Sequence, residues 1–118
     1  MTKVKSSARK SPHPALLVAI ADAHAAADAA ARIASECSQW AMESGTGYDD
    51  AAEAMRSAAR AQETAQQAAR CTTARQAWSF ARLAWAAVTS ATEASARLNA
   101  TVAESMIAAL SSEGPMYK

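Results

Sequence analysis

The chain has little of what most domains use to build a core. Leucine, isoleucine, valine and phenylalanine together number 13 of 118 residues, and phenylalanine occurs once. So few bulky side chains would indicate disorder if the net charge were high. It is only +1, so a folded single domain with a narrow core is expected instead. The same near-neutral balance gives no general case for a nucleic-acid or acidic-lipid partner. Glycine and proline occur three times each, which leaves three long stretches almost free of helix breakers. No continuous apolar run approaches the ~20 residues of a membrane span. Two histidines and no Glu-x-x-His pair exclude a carboxylate-bridged di-iron bundle in its usual form. No segment matches a glycine-rich phosphate loop, a nucleophile elbow, an HExxH zinc helix or an EF-hand.

What the chain does have is alanine, at 35 positions. Alanine is the best helix former and the smallest side chain that still packs. The expected fold is therefore all-α, an antiparallel bundle of three long alanine-rich helices at about 14–44, 49–71 and 74–112, open to completion by dimerisation. Each buried alanine contributes little apolar area, so stability should be modest and self-association would help it.

Charge is uneven. Lys3, Lys5, Arg9 and Lys10 precede the first acid, Asp22. Residues 1–11 are read as a disordered basic tail, 12–113 as the helical domain and 114–118 as a C-terminal tail. A basic start before Ala15–Ala21, with Ala23-His24-Ala25 resembling a cleavage site, makes an exported leader the alternative to a cytoplasmic chain. The apolar run is only seven residues and its pattern continues into the body, so cytoplasmic is preferred. Cys37 and Cys71 could pair in an exported chain; otherwise they are reduced core thiols.

Ser11-Pro12-His13-Pro14 is a helix-entry signature. From there Leu16, Ile20, Ala23, Ala27, Ala30, Ala34, Cys37 and Ala41 recur at spacings of three and four, a heptad-like seam. Asp28, Arg32 and Glu36 lie on another face at four-residue spacing and can pair. Gly45-Thr46-Gly47 is the loop, and Asp49, Asp50 and Glu53 suit the next helix N-terminus. In the second helix Ala51, Met55, Ala58, Gln62, Ala65 and Ala69 are the expected inner face. Thr73-Ala74-Arg75-Gln76 fits a capping box, which predicts a break near 71–73. The third helix collects Trp78, Phe80, Leu83, Trp85, Val88, Leu98, Val102, Met106, Ile107 and Leu110. It is expected to be central, its bulk covered by the alanine faces of the other two and its far end overhanging. Gly114-Pro115 ends it.

Candidate ligand-binding residues are Trp40, Trp78, Arg82, Trp85, Thr92 and Asn99. Trp78 and Trp85 are seven apart on one face, with Trp40 placed to approach from the first helix as the wall of a pocket for a flat organic ligand. Arg82, beside them with Arg75, could bind an anion or a partner carboxylate. Thr92, Ser95 and Asn99, with Gln62, form a polar layer that fixes register or lines a polar cavity. His24 and Asp28 share a helix face, but two ligands do not make a metal site. No catalytic group, cofactor or metal is assigned.

The run from His24 through Cys37, Trp40 and Ala41, followed by a short loop and two alanine-rich helices, resembles the alanine-rich helical immunity protein family of bacteria. The likeness covers residues 24–100 and rests on Cys37-x-x-Trp40-Ala41 and on alanine spacing. It implies a small soluble helical protein with a protective role and no established activity. That family carries further histidines on its later helices. Here those positions offer Arg70, Trp78 or Trp85, so no metal or catalytic assignment carries over.

Three function classes remain, in order of preference. The first is a non-catalytic bundle acting by helix-face association, as a homodimer or with a protein partner. The second is a small-molecule binder with an aromatic pocket, of sequestering or immunity type. The third is a nucleic-acid-associated protein using the basic tail. An enzyme and a membrane partner are not expected.

Overall fold

The computed structural model describes residues 13–113. The expected tails, at 1–11 and 114–118, and the Gly114-Pro115 stop lie outside the described residues. Three helices make up the bundle: α1 (Pro14–Ser44), α2 (Tyr48–Ala69) and α3 (Ala74–Glu113). Among the described residues there is no strand. The short connections make α2 antiparallel to both neighbours and α1 parallel to α3, and every pair of helices packs together.

Local chemistry sets the ends. Pro14 opens α1, where its missing N–H costs nothing, and His13 Nδ1 accepts from the Ala15 N–H at 3.1 Å. Gly45 closes α1 in the left-handed region (φ 71°), donating its N–H to the Ala41 carbonyl at 2.8 Å. Gly47 (φ 82°) then starts α2. A Cβ on Gly47 would collide with the Leu98 side chain, whereas one on Gly45 would meet nothing. The expected break between α2 and α3 is present: α2 ends at Ala69, and Thr73 Oγ1 accepts from the Gln76 N–H at 3.3 Å.

The core is almost entirely alanine. Of the 23 buried residues described, 18 are alanine, and only Leu16, Cys37, Leu98, Val102 and Ser57 are not. Methyl groups at the seam let the helix axes approach to about 8 Å, the near end of the usual range. The seam runs in three tiers. At the lower end Leu16 and Ala19 meet Ala77. In the middle Ala23, Ala27 and Ala30 meet Ala61, Ala65, Ala68 and Ala81. At the upper end Ala34, Cys37 and Ala41 meet Ala51, Ala54, Ala94, Leu98 and Val102. The α1 seam is thus the expected one, with Ile20 moved to half-buried.

Two expectations are corrected. In α2 the inner face is Ala51, Ala54, Ser57, Ala61, Ala65 and Ala68, not the face carrying Met55, Gln62 and Ala69, which are all exposed. Burying Met55 would favour its own area, but it would wedge the axes apart along the whole helix. Ser57 is small enough for the seam, and its Oγ accepts from Arg60 Nη2 at 3.0 Å. Nor is α3 a heavy central helix. It also turns alanines inward, at 77, 81, 84, 87, 91 and 94, and its bulk goes to the rim. Trp78, Phe80 and Val88 are half-buried against the seam, while Leu83 is 58 % exposed.

The expected polar interior layer is absent, because Gln62, Thr92 and Asn99 are exposed and only Ser95 is half-buried. Cys37 and Cys71 are free and belong to opposite tiers of the bundle. Some 18 helical residues, about 27 Å, separate those tiers along α1, far beyond disulfide reach. By length and composition alone α1 is apolar enough to cross a membrane, with an 18-residue window of mean hydropathy 1.2, of which 33 % is buried in the bundle. Alanine raises that average without a continuous run of bulky apolar residues.

Beyond Val102 the bundle ends but α3 does not. Ala103 through Ser112 are all exposed, ten residues or about 15 Å of helix with no neighbour within the described chain.

The loop yields a graded prediction. Gly45→Ala should cost about 1 kcal/mol, the strain of a left-handed alanine. Gly47→Ala should cost about 2–4 kcal/mol, because overpacking against Leu98 is added to that strain. Urea unfolding of both variants measures the difference, and equal losses would contradict the close contact.

Candidate functional site

With the seam given over to alanine, chemistry-bearing side chains collect in the grooves between helices. The groove between α1 and α3 holds most of the candidates. Near its lower end Trp85 Nε1 donates to Asp22 Oδ2 at 2.8 Å. A carboxylate from the facing helix thus serves the indole N–H. Near its upper end a cavity of about 210 Å³ is lined by Glu36, Cys37, Trp40, Ser95, Leu98 and Asn99.

The candidate residues are therefore divided. Trp40 and Asn99 come together at the upper cavity. Trp85 lies 14 residues below Asn99 on α3, about 21 Å along the axis, and Trp78 a further two turns down. Trp40 and Trp85 are each 39 % exposed, and Trp78 packs against the lower and middle tiers. The three tryptophans do not enclose one pocket. Thr92 is exposed and returns its hydroxyl to the Val88 carbonyl at 2.9 Å. Arg82 is exposed and, among the described residues, forms no ion pair.

Asp22, Glu36 and Cys37 were not among the candidate residues. A signal for the two acids was present: they are 14 residues apart on α1, two heptads, and so share one edge of the seam. Asp28, Arg32 and Glu36, expected to pair, are exposed and form no ion pair with one another.

The other grooves are plainer. Between α2 and α3, Arg97 spans to Asp50 Oδ1 at 3.3 Å and to Glu53 Oε2 at 2.9 Å, tying the start of α2 to α3. Between α1 and α2 lies a shallow trough of about 310 Å³ walled by small residues, with Met55 and Gln62 at its rim. His24 and Asp28 share a neighbouring hollow with Gln62 and Gln66. Among the described residues no three His, Cys, Asp or Glu side chains cluster as metal ligands would. The site thus offers carboxylates, amides, hydroxyls and indole faces, which bind and orient.

No family model, curated protein or solved structure matches the chain.

The Trp85–Asp22 bond is open to solvent on one side, which limits its worth. Trp85→Phe keeps most of the ring contact and removes the donor, so it should lower stability by about 1 kcal/mol in urea unfolding. A loss well above that would mean the indole is a core element rather than a rim contact.

Proposed function

We propose that this protein acts without catalysis, by helix-face association, and that its contact surface is the uncovered end of α3. The observation that carries this reading is the exposure of Met106, Ile107 and Leu110, at 58, 62 and 68 %. Leu110 lies three residues after Ile107 and four after Met106, so the three form an apolar stripe on one side of the overhang. A ten-residue helical extension is marginal by itself in water, and a partner would stabilise it. Met42 and Tyr48, at the same end of the bundle, are also 69 and 56 % exposed.

A second copy of the chain is the simplest partner. Two overhangs can pair antiparallel about a twofold axis, each covering the same stripe on the other. The patch is small beside the roughly 800 Å² per partner of a standard interface, so association should be weak and dependent on concentration. A different protein presenting an apolar helix face would use the same stripe.

Sedimentation equilibrium over a wide concentration range tests the reading. The wild-type chain should pass from monomer to dimer. A variant combining Met106→Ser, Ile107→Ser and Leu110→Ser should remain monomeric with the three-helix bundle intact, since each side chain forfeits about 1 kcal/mol or more of burial. A wild-type chain that stays monomeric at the highest concentration removes self-association. A triple variant that still dimerises moves the contact to another face.

A further inference from the structure

The groove between α1 and α3 sets an α1 acid opposite an α3 side chain at two levels, two heptads apart, and the residues around the two levels differ. At the lower level Asp22 faces Trp85, and the indole N–H satisfies the carboxylate. Fourteen residues on in each helix, the same positions hold Glu36 and Asn99, and a heptad pattern keeps them on the same edges. At the upper level Asn99 lines an open cavity of about 210 Å³ instead of bonding the acid. Glu36 accordingly lacks the indole donor that Asp22 has.

The polar lining of this cavity is not engaged elsewhere. Among the described residues Glu36 forms no ion pair. Thr89, Ser90 and Thr92 return their hydroxyls to carbonyls one turn back in α3, whereas Ser95 makes no such bond within the described chain. The Asn99 amide likewise has no partner there. Trp40 presents a partly open indole at one wall, and Leu98, 1 % exposed, forms the floor.

We propose that this cavity binds a small organic cation, an alkylguanidinium or alkylammonium group held between the Glu36 carboxylate and the Trp40 ring. Glu36 is the only charged residue lining the cavity, which disfavours anions. An indole face attracts cations electrostatically. Ser95 Oγ and the Asn99 side-chain carbonyl can accept the N–H groups that remain, and Leu98 offers apolar contact to a short alkyl chain. A guanidinium suits the site best, because it is planar, stacks on aromatic rings and presents paired donors to a carboxylate. The cavity is smaller than the ~300–1,000 Å³ of pockets for drug-sized ligands, so it admits a group of a few heavy atoms rather than a flat polycyclic compound. None of its lining residues belongs to the Met106–Leu110 stripe, so the site and the proposed association surface stand or fall separately.

The test is a titration of the full chain with n-propylguanidinium chloride at constant ionic strength, followed by amide and indole NMR shifts. A saturable shift is expected at the Trp40 indole and the Asn99 side chain, with a Kd of about 1 mM, and none at the Trp85 indole. Glu36→Gln should weaken binding by about tenfold or more, one carboxylate's share of so small a site. Asn99→Trp should abolish it by placing a bulky ring at the wall of the cavity, with helicity retained. If Asn99→Trp fails to fold, the nearly isosteric Glu36→Gln variant decides alone. No saturable shift at Trp40 up to about 50 mM, fifty times the expected Kd, or undiminished binding by Glu36→Gln, overturns the proposal. So does an equal response to propyl sulfate, which carries the opposite charge.

Discussion

Three helices can share a core made of methyl groups only if their backbones approach closely along the whole contact. That constraint governs the rest of the molecule. A buried alanine removes little apolar area from water, so the seam must recover its stability through many close contacts rather than a few large ones. Any bulky residue placed in the seam would lift the helices apart over several turns. Met55, Leu83 and Trp85 are therefore outside it. Leu16 is admitted at the lower end and Leu98 and Val102 near the upper end, where Gly47 makes room for Leu98 by having no side chain.

The exclusion of bulk from the centre creates the functional surfaces. Large side chains pushed to the rim become groove walls, and the α1–α3 groove acquires indoles, carboxylates and an amide from two parallel heptad edges. Because both helices keep the same phase, one acid-facing position recurs two heptads later. That position holds Trp85 at the lower level, bonded to Asp22, and Asn99 at the upper level, where it lines the open cavity. The same exclusion explains the end of α3. Met106, Ile107 and Leu110 follow the last seam residue and have no methyl-lined neighbour to lie against, so they are left as a stripe that a second helix could cover.

Much of the architecture was legible in the residues. Proline at 14, glycine at 45 and 47 and the Thr73–Gln76 cap marked the helix ends to within two residues, because capping is local chemistry. The α1 seam was legible because Leu16 and Cys37 sit in phase with its alanines. The inner face of α2 was not. Alanine occupies both candidate faces, and hydrophobicity alone favours the one containing Met55. What decides is steric, namely that an uninterrupted row of small residues allows the close approach. The same consideration overturned the picture of a heavy central α3, whose own alanines at 77, 81, 84, 87, 91 and 94 form a seam in plain view. At the site, their chemistry singles out Trp40 and Asn99 in the sequence, and both line the upper cavity. Their separation from Trp85 and the roles of Asp22 and Glu36 depend on how α1 and α3 align, which spacing within one helix does not fix.

The central claim is that small side chains on one particular face of α2 hold the bundle together, and placing the same enlargement on and off that face tests it most directly. Ala61 is fully buried and Ala59, two residues earlier, is exposed. Urea unfolding of Ala61→Leu should reveal a loss of about 1–3 kcal/mol from overpacking. Ala59→Leu should stay within about 0.5 kcal/mol of the parent protein. Equal tolerance of the two substitutions, or a larger loss at 59, would contradict the alanine seam.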